Sequence, residues 1–199
     1  FIKKLNESKE ANVFRDHGLS FGKSLIAVRA RQATPFDVHI GTNRQRQPVI
    51  YRGNAQVIDW NNRFRDTRLN VTVPLHQWLY IFPDPQMERN AEDRGMAENF
   101  EQALGRVMTG LGVDYRPPQT VITTNANRIG SYMTAIRDNL HDNIQIVVCL
   151  TGGREDHYSA IKKELTCEQG VLSQVIVQRT LKNKKSFMSV VTKIALQIR

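Results

Sequence analysis

Cysteine is scarce in this 199-residue chain: there are two, Cys149 and Cys167. Neither belongs to a C-x-x-C pair or to the Cys/His spacing that holds zinc, so the cysteines give no sign of a zinc site or a disulfide framework. Both are expected to be reduced packing residues of an intracellular protein, one in an apolar strand and one near a helix end. Long apolar runs are lacking as well. The longest, "IQIVVCL", falls far short of the ~20 residues that cross a bilayer and reads as a buried strand. The opening "FIKKLNESKE" has no apolar stretch of signal-peptide type, and a chain that begins at Phe1 is expected to be an excised fragment with sequence missing on both sides. Acidic residues are the minority, with 19 Asp and Glu against 28 Lys and Arg, a net charge of +9 and a pI near 9.8. That balance favours a polyanion, either nucleic acid or an anionic membrane. The aromatic residues fall in strand-like or core-facing positions instead of along basic amphipathic helices, so nucleic acid leads.

What is present suits a soluble globular protein of one domain plus an appendage: 40% hydrophobic and 8% aromatic residues. The first twenty residues predict a short amphipathic helix ended by Gly18. Two β-like pieces follow, "SLIAVRARQ" and "PVIYRGNAQVIDW", and with "GTNRQRQP" between them residues 1–72 read as a linker region of a helix and short strands. From residue 73 onward the pattern becomes regular. The strand "WLYIF" precedes a helix with Phe100, Leu104, Val107, Met108 and Leu111 at helical spacing. Next come the strand "QTVITT", a helix carrying Ile129, Tyr132, Met133, Ile136 and Leu140, the strand "IQIVVCL", a helix with Tyr158, the strand "SQVIVQ" and a last helix from about Ser186. Four strands alternating with four helices predict an α/β domain, a Rossmann-like central parallel sheet flanked by helices, preceded by the small α+β linker region.

In such sheets ligands bind outside the carboxyl ends of the strands, which selects the segment Thr151, Gly152, Gly153, Arg154, Glu155 and Asp156 between "IQIVVCL" and the Tyr158 helix. Its backbone N–H groups and the helix dipole can face an anion, and the two glycines permit close approach. Tyr158 and Lys162 stand at i and i+4 and share a helix face. A ring there can stack on a base, and the ammonium can meet a phosphate. Gln174 can donate its amide to a phosphate oxygen, and the Val175 N–H can add a second donor. In the last helix Phe187, Val190, Val191, Ile194 and Ile198 form the apolar stripe, which leaves Lys193 and Gln197 together on a more polar side. A carboxamide so placed can donate to phosphate or coordinate a hard cation through its oxygen. Each signal has a plainer alternative: a tyrosine at a helix start is usually core or cap, and a helical Lys or Gln is usually a solvated surface residue. The phosphate signatures G-x-G-x-x-G and G-x-x-x-x-G-K-[ST] are both missing.

As a set, Tyr158, Lys162, Gln174 and Gln197, within "YSAIKKELTCEQGVLSQVIVQRTL" and "SVVTKIALQ", resemble the MID domain of Argonaute proteins of the Piwi clade. The stretch "DWNNRFRDTRLNVTVPLHQWLYIFP" is similar to the Piwi linker running into MID. The resemblance implies that the chain holds the 5′-monophosphorylated end of a small guide RNA, a piRNA, in RNA-guided gene and transposon silencing. It implies that Tyr158 stacks on the first base, that Lys162, Gln174 and the Val175 N–H grip the 5′-phosphate, and that the 151–156 loop faces the base edge. Gln197 would help hold Mg²⁺ between guide phosphates in the full protein. The slicer site would lie in an absent PIWI domain, PAZ and PIWI domains being partners within the full-length chain, and the location would be cytoplasmic, in perinuclear granules, with the nucleus as a second compartment. Two departures limit the transfer. A further phosphate-binding lysine of the family would fall beyond Arg199, and the loop before Tyr158 is longer than in the Ago clade. Two other classes remain open at this point: a nucleotide-dependent enzyme that uses Asp156 and His157 as acid and base, and a protein-interaction module whose basic charge serves solubility.

Overall fold

The computed structural model describes residues 2–34, 36–52, 64, 66–85, 95–123 and 128–198. The chain forms two compact units, residues 1–34 and 35–199. In the first, helices α1 (Ile2–Asn6) and α2 (Ala11–Asp16) replace the single predicted helix. Gly18, at φ 70°, follows α2, and the Phe14 and Phe21 rings pack at 4.9 Å. The β-like stretch "SLIAVRARQ" forms no strand, and Leu25 and Ile26 are 85% and 86% exposed. Strand propensity there has no hydrogen-bonding partner among the described residues, and propensity without a partner does not make a sheet.

The second unit begins with a small antiparallel sheet ordered β2-β1-β3, built from β1 (Asp37–Thr42), β2 (Pro48–Arg52) and β3 (Arg68–Leu69). Gly41 sits in β1 because a Cβ there would overlap the Arg68 backbone. The predicted strand residues 53–60 lie outside the described residues. β3 is tied to the larger sheet layer by the Leu69 N–H, which donates to the Leu111 carbonyl at 2.9 Å.

The larger layer is the predicted one. Strands β4 (Trp78–Pro83), β5 (Gln119–Thr123), β6 (Ile146–Thr151) and β7 (Leu172–Val177) form a parallel sheet ordered β5-β4-β6-β7. Helices α3 (Met96–Gly110), α4 (Ile129–Asn139) and α5 (Glu155–Lys162) make the crossovers that parallel pairing requires. The short α6 (Gln178–Leu181), which the sequence did not predict, leads to α7 (Phe187–Ile198). Alternation along each strand sorts the core into two layers. Trp78, Tyr80, Phe82, Val148 and Ile176 face α3 and α7, while Leu79, Ile81, Val147 and Cys149 face α4 and α5. β4 and β6 are buried along their whole length, which is why they read as unbroken apolar runs.

Candidate nucleotide site

The strand order fixes where a ligand can enter. Crossovers from β4 run toward β5 and those from β6 toward β7, so the chain direction switches between β4 and β6, and the predicted loop leaves the carboxyl end of β6 at that point. Thr151 ends the strand, buried, with its hydroxyl on the Ile176 carbonyl. Gly153 adopts φ 96°, and a Cβ there would also strike the Val177 side chain at 2.8 Å. Glycine is thus required twice over at this position. Gly152 meets no such obstacle. Arg154 caps α5 in extended conformation and forks onto Asp156 with hydrogen bonds of 3.1 and 3.0 Å. The hydrogen bond from this guanidinium holds the Asp156 carboxyl below its ordinary range.

On α5, residues 157 and 158 turn opposite ways. His157 is buried, 1% exposed, against the Tyr132 ring at 5.5 Å, and neither of its ring nitrogens finds a hydrogen-bond partner among the described residues. Tyr158 is 53% exposed. The plain reading of Tyr158 as a core residue therefore fails, and its ring is available for stacking. The same geometry dissolves the acid–base pair, since Asp156 is engaged outside by Arg154 and His157 is sealed inside.

Lys162 is the last residue of α5, and a π-helical turn, Lys163–Glu168, follows it. Its Nζ donates to the Ser173 carbonyl at 2.6 Å and to the Ser173 hydroxyl at 3.0 Å, so the ammonium lies against β7 and not in bulk solvent. Behind it stands Cys149, whose thiol is pushed up to about 12 by burial, an effect that the Lys162 charge opposes. The π turn buries Glu164, which pairs with Arg137 of α4 at 2.7 Å. Cys167, in contrast, is exposed on that turn and is not the packing residue expected of it.

β7 is an edge strand of the described sheet, so alternate backbone N–H groups along it face away from β6. Register places Gln174 beside Val148 and Val175 beside Cys149. In a parallel pair these neighbours share a face. Gln174 thus projects to the α3/α7 side, whereas Ser173 and Val175 project to the α5 side. Lys193 and Gln197 are exposed on α7, which packs on the Gln174 side. The predicted residues are therefore divided: Tyr158 and Lys162 on one face, Gln174, Lys193 and Gln197 on the other. Ser173, which the sequence reading passed over, is the residue on which the α5 group rests.

Gln197 offers one neutral oxygen ligand. Among the described residues no group of three or more His, Cys, Asp or Glu is placed to hold a metal ion, and Mg²⁺ asks for octahedral oxygen coordination.

A parallel sheet with helices on both faces and a glycine loop at its switch point defines a Rossmann-like α/β domain. No protein-family model matches the chain. Protein piwi of Drosophila melanogaster is 30% identical over 200 aligned positions, covering 97% of this chain and 21% of that protein. Piwi-like protein 1 of Gallus gallus is 31% identical over 185, covering 92% and 20%. The crystal structure of Drosophila Piwi matches with a TM-score of 0.66 at 27% identity, over 82% of this chain and 21% of that one. The chain is homologous to Piwi-clade Argonaute proteins over more than 90% of its length, and it spans about a fifth of the length of the curated relatives it matches.

Proposed function

We propose that the chain is the MID domain of a Piwi protein with its preceding linker, and that it binds the 5′-monophosphorylated end of a small guide RNA, a piRNA. The observation that carries this reading is the Lys162 ammonium fixed at the β7 edge one helical turn from the exposed Tyr158 ring. A first base stacks on Tyr158. Four helical residues rise about 6 Å, which suits the step from that base to its 5′-phosphate at Lys162. Gln174, the Val175 N–H and the exposed side of α7 at Lys193 and Gln197 supply the remaining donors around the edge. The loop from Thr151 to Asp156 faces the base edge from the switch point.

Mg²⁺ belongs to this proposal only together with the RNA, because guide phosphates would have to provide most of its oxygen ligands, with Gln197 as one. The chain's role is binding; cleavage of a target would be the work of a PIWI domain elsewhere in the full protein, with PAZ as the other partner domain. Residence in cytoplasmic perinuclear granules and in the nucleus follows from the same reading.

Binding of 5′-phosphorylated and 5′-hydroxyl RNA of one sequence tests it. The phosphorylated form should bind at least tenfold tighter, a charge-assisted hydrogen bond contributing roughly 1.5–3 kcal/mol. Lys162→Ala should abolish most of that difference while the fold persists. Equal affinities for the parent would refute the reading.

A further inference from the structure

Lys162 is a long, flexible side chain, and such a group loses roughly 2 kcal/mol of rotamer freedom when fixed on a ligand. Here it is fixed in advance. Two of its three N–H donors are taken by Ser173, one through the backbone carbonyl and one through the hydroxyl. An ammonium has three donors, so one is left for a further acceptor. Ser173 can do this because of its register. It pairs with Val147 and so presents its side chain to the α5 face, between the ammonium and the strand that carries Gln174 on its opposite side. A residue one position earlier or later would face the α3/α7 layer and could not reach.

The helix contributes as well. α5 ends at Lys162, where the backbone passes into the π turn, and Leu165 and Ile161 on either side are fully buried. The base of the Lys162 side chain is anchored by this packing, and its tip by Ser173.

We infer that Ser173 is a positioning residue for the 5′-phosphate: it presets the Lys162 ammonium at the β7 edge, so that phosphate meets a donor already in place. Such preorganisation appears as affinity, because the ordering cost is met in folding. The inference rests on the guide-binding reading above and deepens it. Ser173 acts through Lys162 and need not touch the RNA itself.

The test is a double-mutant cycle on the 199-residue chain, reading the ratio of affinities for 5′-phosphorylated and 5′-hydroxyl RNA, with the thermal midpoint recorded for every variant. Ser173→Ala should lower that ratio about three- to tenfold, the worth of one hydrogen bond, because the carbonyl contact survives. Ser173→Thr, which restores a hydroxyl, should recover most of the loss. In the Lys162→Ala background Ser173→Ala should lower the ratio no further, since the group it positions is gone. A merely structural Ser173 would shift the midpoint and weaken both RNAs alike, leaving the ratio unmoved, and that result overturns the inference. So does an equal loss from Ser173→Ala with or without Lys162. If Lys162→Ala lowers the ratio and Ser173→Ala does not, the positioning role falls and guide binding stands. If the parent shows no preference for phosphate, both fall.

Discussion

β6 and β7 are hydrogen-bonded neighbours of six residues each, yet they are opposites. Every residue of β6 is buried, whereas in β7 only Ile176 is. β6 has a helix layer on both faces and a strand on both sides, so its sequence is constrained to be apolar and records only packing. Among the described residues β7 has one strand neighbour, and Ser173 and Gln174 stand side by side on it, one facing each helix layer. The first strand supplies a dry, packed centre, and the second an edge on which polar side chains stand, Ser173 within a hydrogen bond of Lys162.

The comparison can be broken at either end. Phe100 is fully buried in the α3 layer, with its ring 5.8 Å from Tyr80. Phe100→Ala should cost about 3–5 kcal/mol in chemical denaturation, the largest effect expected here. A loss below 1 kcal/mol would mean that this layer is not the rigid support.

At the edge, Tyr158→Ala should leave the denaturation midpoint nearly unchanged and weaken binding of all four nucleoside monophosphates by a similar factor, roughly 1–3 kcal/mol, because stacking accepts any base. Tyr158→Phe should bind as the parent does. Unfolding of the alanine variant would return Tyr158 to the core.

The smallest effect concerns the turn between the two regions. The Arg137 guanidinium, hydrogen-bonded to Glu164, holds that carboxyl below its ordinary value of 4.5. A lowered folded-state value gives stability that is fully present above about pH 4.5 and is lost as the pH falls through the folded value. Glu164→Gln should therefore lose less stability than the parent between pH 5 and pH 3, as read from urea midpoints at about those two values. Identical acid dependence in the two proteins would remove the pair from the account.

The same contrast explains what the sequence revealed. The runs "WLYIF" and "IQIVVCL", and the spacing of Phe100, Leu104 and Met108, led to the right layers because burial on both faces leaves little choice of residue. Tyr158 and Lys162 were legible because i, i+4 spacing alone puts them on one face. β1 was missed, since "DVHIGT" has weak alternation and a glycine whose reason is the approach of Arg68 from 27 residues away. "SLIAVRARQ" misled in the other direction. Ser173 could not be found without register: a serine next to a glutamine gives no sign of which one faces the lysine. The exposure of Cys167 depended on the π turn, which shifts the phase of the helix end and has no signature in "KELTCE".

The central claim is that a nucleotide is held at the β7 edge by groups from both sheet faces, and amide hydrogen exchange with and without uridine monophosphate tests it most directly. The account predicts slowed exchange in three places: around Ser173–Val175, in the loop Gly152–Asp156 with the first turn of α5, and at the Lys193–Gln197 end of α7. Protection confined to Arg137, His141 and Gln145 around the cavity of about 560 Å³ at the amino ends of β6 and β7, with none in the Gly152–Asp156 loop or at Lys193–Gln197, would contradict it.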